Sequence, residues 1–552
     1  MQQPLCQNLP EELWDMIVIF LQDRRSEYAM CLVSRRFRSR LYPIIWKDVP
    51  HVHRLLDLLI PGRNFKLIQT PGLLRSFVME PGRDVREAQM VSLVDMDRAH
   101  RLLSIGMHVR VLCIQFCVLP LSLHLRLERL QAEQAEVNGQ RNPLLPHLEE
   151  LHVYNSESYG DWPDLETAPS DACHWFMLFL SPSVLIASLV LANVAPDPHL
   201  LVSRAPNLHT LQINLDWTPT LDPVELPGRP AGARLLPDLG LWTASICNVM
   251  VQWAVTRFAA DGYFFWHLDV VAGIATVPGL RFLTITDPVE EPWATAPQQN
   301  LSLFRSLQEL DLDSVTPQSA EAILAHVGIS RRIRTLRWSV PHRSFSSNGL
   351  AAAFQSFLLS ADGSSSLKNL CLSVRNPSGG HPPCWGWTFE PALSAIRMLN
   401  LESLATEYPE RTHVLVDRCL PVGLGSGLRS LELRYLIVPW QMLGMISDEY
   451  PQLNWLRLTL DPTNFDATWV VKLYPTWSPN QQREAKAQPL TLVLNISVTI
   501  CRPDKIAGKQ TPAGCARKLR RVWSNVRLVH DKDTETPRDD VYMANLLHLF
   551  SL

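Results

Sequence analysis

Residues Leu307-Gln308-Glu309-Leu310-Asp311-Leu312 decide the fold. The pattern is an apolar residue, two spacers, a leucine, one spacer and a second apolar residue. In an extended segment, side chains alternate across the backbone. Leu310 and Leu312 then share one face. The pattern is a short strand entered from a turn, apolar on one side only.

Working outward, the same cue recurs on both sides. Upstream it appears as Val109–Ile114, Leu148–Val153, Ile186–Leu191, Leu208–Ile213 and Leu280–Ile285. Downstream it appears as Ile333–Trp338, Leu367–Leu372, Leu428–Leu433 and Leu453–Leu458, with a weaker copy at Leu401–Leu404. The residues between copies often read as a helix that covers the apolar face. The predicted class is therefore α/β. Several central leucines, such as Leu283, Leu310 and Leu336, are spaced by 27 and 26 residues. Such spacing resembles degenerate leucine-rich repeats, whose period is about 20–29 residues. That resemblance implies an irregular solenoid over residues 106–552. The pattern departs from it in several places: Leu112 to Leu151 is 39 residues and Leu151 to Leu189 is 38. The 72-residue interval from Leu211 to Leu283 holds no copy. The turn Asn or Cys of the family is mostly absent, Asn193 being the nearest candidate.

The gap itself divides in two. Pro219, Pro223, Pro227, Pro230 and Pro237 make 217–241 an irregular insertion. Thr243–Ala260 then reads as a helix, followed by the aromatic run Tyr263-Phe264-Phe265-Trp266. That pairing of loop and aromatics is either a binding epitope or an insertion packed on the body. Near the end, Leu490–Ile496 alternates as a strand, and Val541–Leu552 reads as a helix capping the array.

The N-terminal head, residues 1–50, has a different period. Leu9-Pro10-Glu11-Glu12-Leu13 reads as a helix start, with Pro10 at the first position and carboxylates in the first turn. Leu13, Ile17 and Leu21 continue it at helical spacing. A second helix is predicted from about Glu27 to Val33. A third follows Ser34, a suitable N-cap, and is ended or kinked by Pro43. Three short helices bury little surface alone, so part of their apolar surface is expected to meet a partner. Residues 51–105 read as a helical connector.

Leu9-Pro10-Glu11-Glu12-Leu13, Ile17, Leu21 and Leu32-Val33-Ser34-Arg35-Arg36-Phe37 together resemble an F-box. Phe37 stands where many members have Trp, and Trp46 with Val49 resembles the common ending. The resemblance implies docking to a Skp-type adaptor in a cullin complex. It places Leu9, Pro10, Leu13, Ile17, Val33 and Phe37 at or near the adaptor. The function it implies is substrate recognition in a Skp-cullin-F-box ubiquitin ligase, with the repeat body binding a target protein. The alternative is a non-catalytic leucine-rich scaffold or adaptor-binding protein without a ligase role.

Composition narrows the classes. Lys+Arg number 51 and Asp+Glu 54, for a net charge of −3, which gives no support to a whole-chain nucleic-acid binder. The basic cluster Arg517–Arg521 reads as a solvated helix face. No apolar run approaches the ~18 residues that span a bilayer, and the first residues lack a signal peptide's basic start. A cytoplasmic or nuclear location is expected. The eleven cysteines form no CxxC pair, so neither disulfides nor a zinc site is predicted. Ala507-Gly508-Lys509-Gln510-Thr511 lacks the upstream glycine of a phosphate loop. Gly423–Gly427 fits neither a dinucleotide fingerprint nor a nucleophile elbow. No catalytic residue and no cofactor is predicted.

Overall fold

The computed structural model describes residues 13, 16, 24–33, 35–56, 58, 65–68, 76–79, 96–115, 127–132, 143–154, 175–191, 197–215, 239–265, 268–286, 293–294, 300, 302–341, 344–363, 365–375, 390–407, 424, 427–438, 446, 449–460, 491–495 and 527–530. The chain is α/β and forms two compact units, Met1–Ala260 and Asp261–Leu552.

In the first unit, helices Arg24–Val33 and Arg35–Lys47 lead into β1 (Asp48–Val49). The second helix runs through Pro43 to Lys47; Pro43 does not end it. Leu41, Ile45 and Trp46 are buried along its last turns, and tertiary packing outweighs the lost backbone donor. An antiparallel hairpin of β2 (Phe65–Ile68) and β3 (Ser76–Met79) follows, so the 51–105 connector is not helical throughout. Helix Met96–Gly106 precedes β4 (Val111–Gln115), β5 (Glu150–Tyr154), β6 (Ile186–Leu191), β7 (Thr210–Leu215) and β8 (Arg257–Asp261). β1 pairs with β4, and each later strand pairs in parallel with the one before it.

Two expectations are corrected here. Arg257–Ala260 belongs to a strand, not to the helix expected over Thr243–Ala260; that helix spans Leu239–Gln252. Phe258 stands opposite Leu211, so a rank of the sheet lies inside the apparent gap, with Phe in place of Leu. In β6 the repeat frame is shifted by two residues. Ala187, not Leu189, aligns with Leu151 and Leu211, and Leu189 aligns with Ile213.

The second unit repeats the arrangement. It contains β9 (Phe282–Thr286), β10 (Glu309–Asp313), β11 (Thr335–Pro341), β12 (Asn369–Arg375), β13 (Ser403–Glu407), β14 (Ser430–Val438), β15 (Trp455–Leu460), β16 (Thr491–Asn495) and β17 (Arg527–His530). They lie side by side in chain order, each parallel to the next. The weaker copy at Leu401–Leu404 is a full member, with Leu404 opposite Leu370 and Leu431. β17 had no counterpart in the sequence reading. The helix expected at Val541–Leu552 lies outside the described residues.

Alternation builds the core. Leu283, Leu310, Leu336, Leu370, Leu404, Leu431 and Leu456 form one buried column across the strands. Ile285, Leu312, Trp338, Leu372, Thr406 and Leu433 form a second. Helix Ser347–Ala361 covers this face: Phe354 meets Trp338 with ring centroids 5.9 Å apart. Ser346 caps that helix by accepting from the Gly349 N–H at 3.2 Å, and Thr316 caps Pro317–Leu324 in the same way. Such caps satisfy N–H groups that a helix start leaves unpaired. Phe264 and Phe265 are fully buried and meet edge-on; Phe265 packs on Trp293, which stacks on Phe304. These two aromatics of the 263–266 run are core, not an exposed epitope. His326 donates to the Trp293 carbonyl at 3.0 Å. Burial holds its imidazole below the usual range, with the bond to Trp293 opposing the shift.

A backbone device recurs along the described ranks of each unit. The carbonyl just before a strand accepts two N–H groups from the next rank. Arg281 accepts from Gln308 and Glu309, Gln308 from Arg334 and Thr335, and Arg334 from Lys368 and Asn369. In the first unit Arg110, Glu149, Leu185 and His209 do the same. The strands therefore begin at one level, and equivalent residues stack in rows.

Candidate functional site

The head presents two unlike surfaces. Helix Arg35–Lys47 buries Leu41, Ile45 and Trp46 but leaves Ile44 47% exposed. Leu41 and Ile45 lie one turn apart on one face; Ile44 points elsewhere. Tyr42 joins the inner contacts, edge-on to Trp46 and to His108, and Arg38 lies 5.4 Å above its ring. The Lys47 carbonyl accepts the Arg110 N–H at 2.8 Å, and the Val52 N–H donates to Cys113. These bonds stitch the helix end into the sheet of the same unit.

Other apolar side chains of the head remain open. Leu32 is 89% exposed on helix Arg24–Val33, and the helical residues Leu13 and Met16 are 41% and 50% exposed. Of the residues expected at the adaptor, Leu13 is thus helical and accessible. Val33 ends one helix and Phe37 lies in the next, but their side chains lie outside the described set. Leu9, Pro10 and Ile17 also lie outside the described residues. Sequence reading missed Leu32 and Ile44 as surface positions. Their apolar character was visible, but the direction each faces depends on where the helices pack.

The second candidate surface is the solvent-facing side of the strands, set by the alternate positions that sequence reading did not single out. In the second unit β10 carries Glu309, Asp311 and Asp313. Asp311 stands opposite Arg337 of β11. Burial raises the Asp311 carboxyl above the usual range; Arg337 opposes this, while Asp313 and Glu309 add to it. Arg375 of β12 donates to both Asp313 carboxylate oxygens at 2.7 Å. Glu432 accepts from the Trp455 indole at 3.1 Å and lies 3.8 Å from Arg457. In the first unit His152 and Glu150 are 3.2 Å apart. Within each unit these groups form an ordered polar face.

Burial raises the thiols of Cys31 and Cys113, which keeps both protonated and weakly nucleophilic near neutral pH. Among the described residues, no three His, Cys, Asp or Glu side chains converge to hold a metal ion. Among the same residues no helix is long and apolar enough to cross a membrane. No protein-family model matches the chain, and no curated protein matches it either.

Proposed function

We propose that this chain is a substrate-recognition subunit of a Skp-cullin-F-box ubiquitin ligase. Its head docks to the Skp-type adaptor, and its strand-and-helix body, read as an irregular leucine-rich-repeat solenoid, binds a target protein. The observation that carries the reading is the two-sided head. Leu41, Ile45 and Trp46 anchor it to the first unit, while Leu32, Ile44, Leu13 and Met16 remain available to a partner. The F-box-like order of residues from Leu9 to Val49 gives that partner its identity. The mechanism is proximity: target and ubiquitin carrier held in one assembly meet at a raised effective concentration. This chain then needs no residue at the bond being made.

The test is co-expression of the full chain with a Skp-type adaptor, comparing the native protein with Leu13→Asp and Leu32→Asp. The native chain is expected to co-purify with adaptor, and both variants to lose it while retaining the native melting profile. A native chain that holds no adaptor, or variants that hold it at native levels, would refute the reading. Adaptor capture without ubiquitin-dependent turnover of any bound partner would favour a scaffold instead.

A further inference from the structure

The strands of Asp261–Leu552 all enter from one edge, because neighbouring strands are parallel and in chain order. The turns feeding them carry a predominantly cationic set: Arg281, Arg305, Arg334, Lys368, Arg397 and Arg429. Two acids share these turns and both are engaged. Asp362 lies 3.4 Å from Arg331, and Glu402 lies 3.5 Å from Lys368. Glu449 stands beyond Arg429, before the last of these turns.

Four of the cations, Arg281, Arg334, Lys368 and Arg429, occupy equivalent backbone positions; Lys368 is engaged by Glu402, which leaves three. Arg281, Arg334 and Arg429 each immediately precede a strand, and each offers its carbonyl to two N–H groups of the next rank, at 2.8–3.0 Å. Their backbones are pinned and their spacing is set by the sheet. All three side chains are exposed, and among the described residues none of the three makes a side-chain hydrogen bond or ion pair. Helix C-termini attract cations to the turn directly after a helix, which accounts for Arg331 but not for residues placed against the strand start.

We propose that this edge is a docking row for an acidic polypeptide segment, with Arg281, Arg334 and Arg429 as its charge contacts. Neighbouring strands are about 4.8 Å apart. Arg281 and Arg334 are two ranks apart and Arg429 is three further on, so the row spans about 24 Å. An extended chain covers that length in roughly seven residues. The charge density fits carboxylates rather than nucleic acid. Duplex DNA carries one charge per about 1.7 Å, whereas these cations are about 10 and 14 Å apart. The neighbouring strand face, with Glu309, Asp311 and Asp313 on β10, would repel a continuous phosphate backbone. The inference deepens the substrate-receptor reading by naming the target's chemistry, and rests on it only for the fate of what is bound.

The test uses the full chain and a fluorescein-labelled eight-residue peptide of alternating Glu and Ser, followed by anisotropy at low salt. Exposed ion pairs contribute about 0–1 kcal/mol each. Single changes Arg281→Glu, Arg334→Glu and Arg429→Glu are each expected to weaken binding about two- to fivefold, and the triple variant at least about tenfold. Binding should weaken as salt rises. Unchanged melting of the triple variant, and unchanged adaptor capture, would separate this result from failure of the head. No binding by the native chain, or equal binding by the triple variant, would overturn the proposal. So would an eight-nucleotide single-stranded DNA that binds more tightly through the same arginines.

Discussion

Leu41 and Leu32 give the sharpest test of the two-sided head. Leu41 is fully buried and Leu32 is 89% exposed, although they are close in sequence. Truncating a buried leucine to alanine costs about 2–5 kcal/mol, from lost transfer energy and the cavity left behind. A unit of this size shifts by about 2–4 °C per kcal/mol. Leu41→Ala should therefore lower the melting of the first unit by roughly 4–20 °C. Leu32→Ala should leave melting within about 1–2 °C, because it removes almost no internal contact. Adaptor affinity should respond in the opposite order. Burying a leucine at a partner contributes about 1.5–3 kcal/mol. With most of the Leu32 side chain still available to cover, its truncation should cost about 1–2.5 kcal/mol, a roughly five- to seventyfold rise in Kd. Calorimetric titration with adaptor, well below the melting range, reads the affinity; scanning calorimetry reads the stability. If Leu32→Ala melts the unit, or if Leu41→Ala leaves melting untouched, the division of the head into an anchored face and a docking face is wrong.

Two further expectations concern the second unit. The Asp311 carboxyl is raised by burial, so the folded state binds its proton more tightly than the unfolded state does. Its ionised form then weakens folding as pH rises through the raised folded value, and the penalty disappears below the unfolded value of about 3.9. Asp311→Asn should melt higher than the native chain at pH 7, with the difference shrinking as pH falls toward 4; a constant difference across that range would contradict the assignment. Gly328 lies in the helical turn Val327–Ser330, and an added Cβ would collide with the backbone carbonyl of Leu303. Backbone yields poorly, so Gly328→Ala should lower stability by about 1–3 kcal/mol, read as a fall in the urea midpoint at unchanged slope. An unchanged midpoint would show that the two segments separate freely.

Much of the sheet was legible because a half-buried strand writes its period directly into sequence. The columns through Leu310 and Leu312 follow from alternation alone. The failures have particular causes. Phe258 was passed over because the cue required leucine, whereas the buried position requires only a large apolar side chain. In β6 an alanine fills the first column, so the nearby Leu189 drew the frame two residues along. Pro43 suggested a helix end or a kink; the helix does not end there, because local propensity lost to the burial of Ile45 and Trp46. The candidate surfaces were less legible. Exposure of Leu32, or the alignment of Arg281 with Arg334 and Arg429, depends on packing and register between segments far apart in the chain.

β1 is only two residues long, yet it bears on how the head would work. A helix joined to a body by a flexible linker would hold a partner anywhere within the linker's reach. Here the helix ends at Lys47, and the next residues, Asp48 and Val49, pair directly with Val111 and Leu112. Lys47 receives a backbone bond from Arg110, and Val52 gives one to Cys113. Rotating the helix against the sheet of this unit would break those bonds and expose Leu41, Ile45 and Val49, all buried. Under the substrate-receptor reading, an adaptor bound to the outer face of the head is therefore oriented with respect to the first unit's sheet. Proximity then acts through a fixed geometry, since effective concentration is greatest when the connection matches the span between sites.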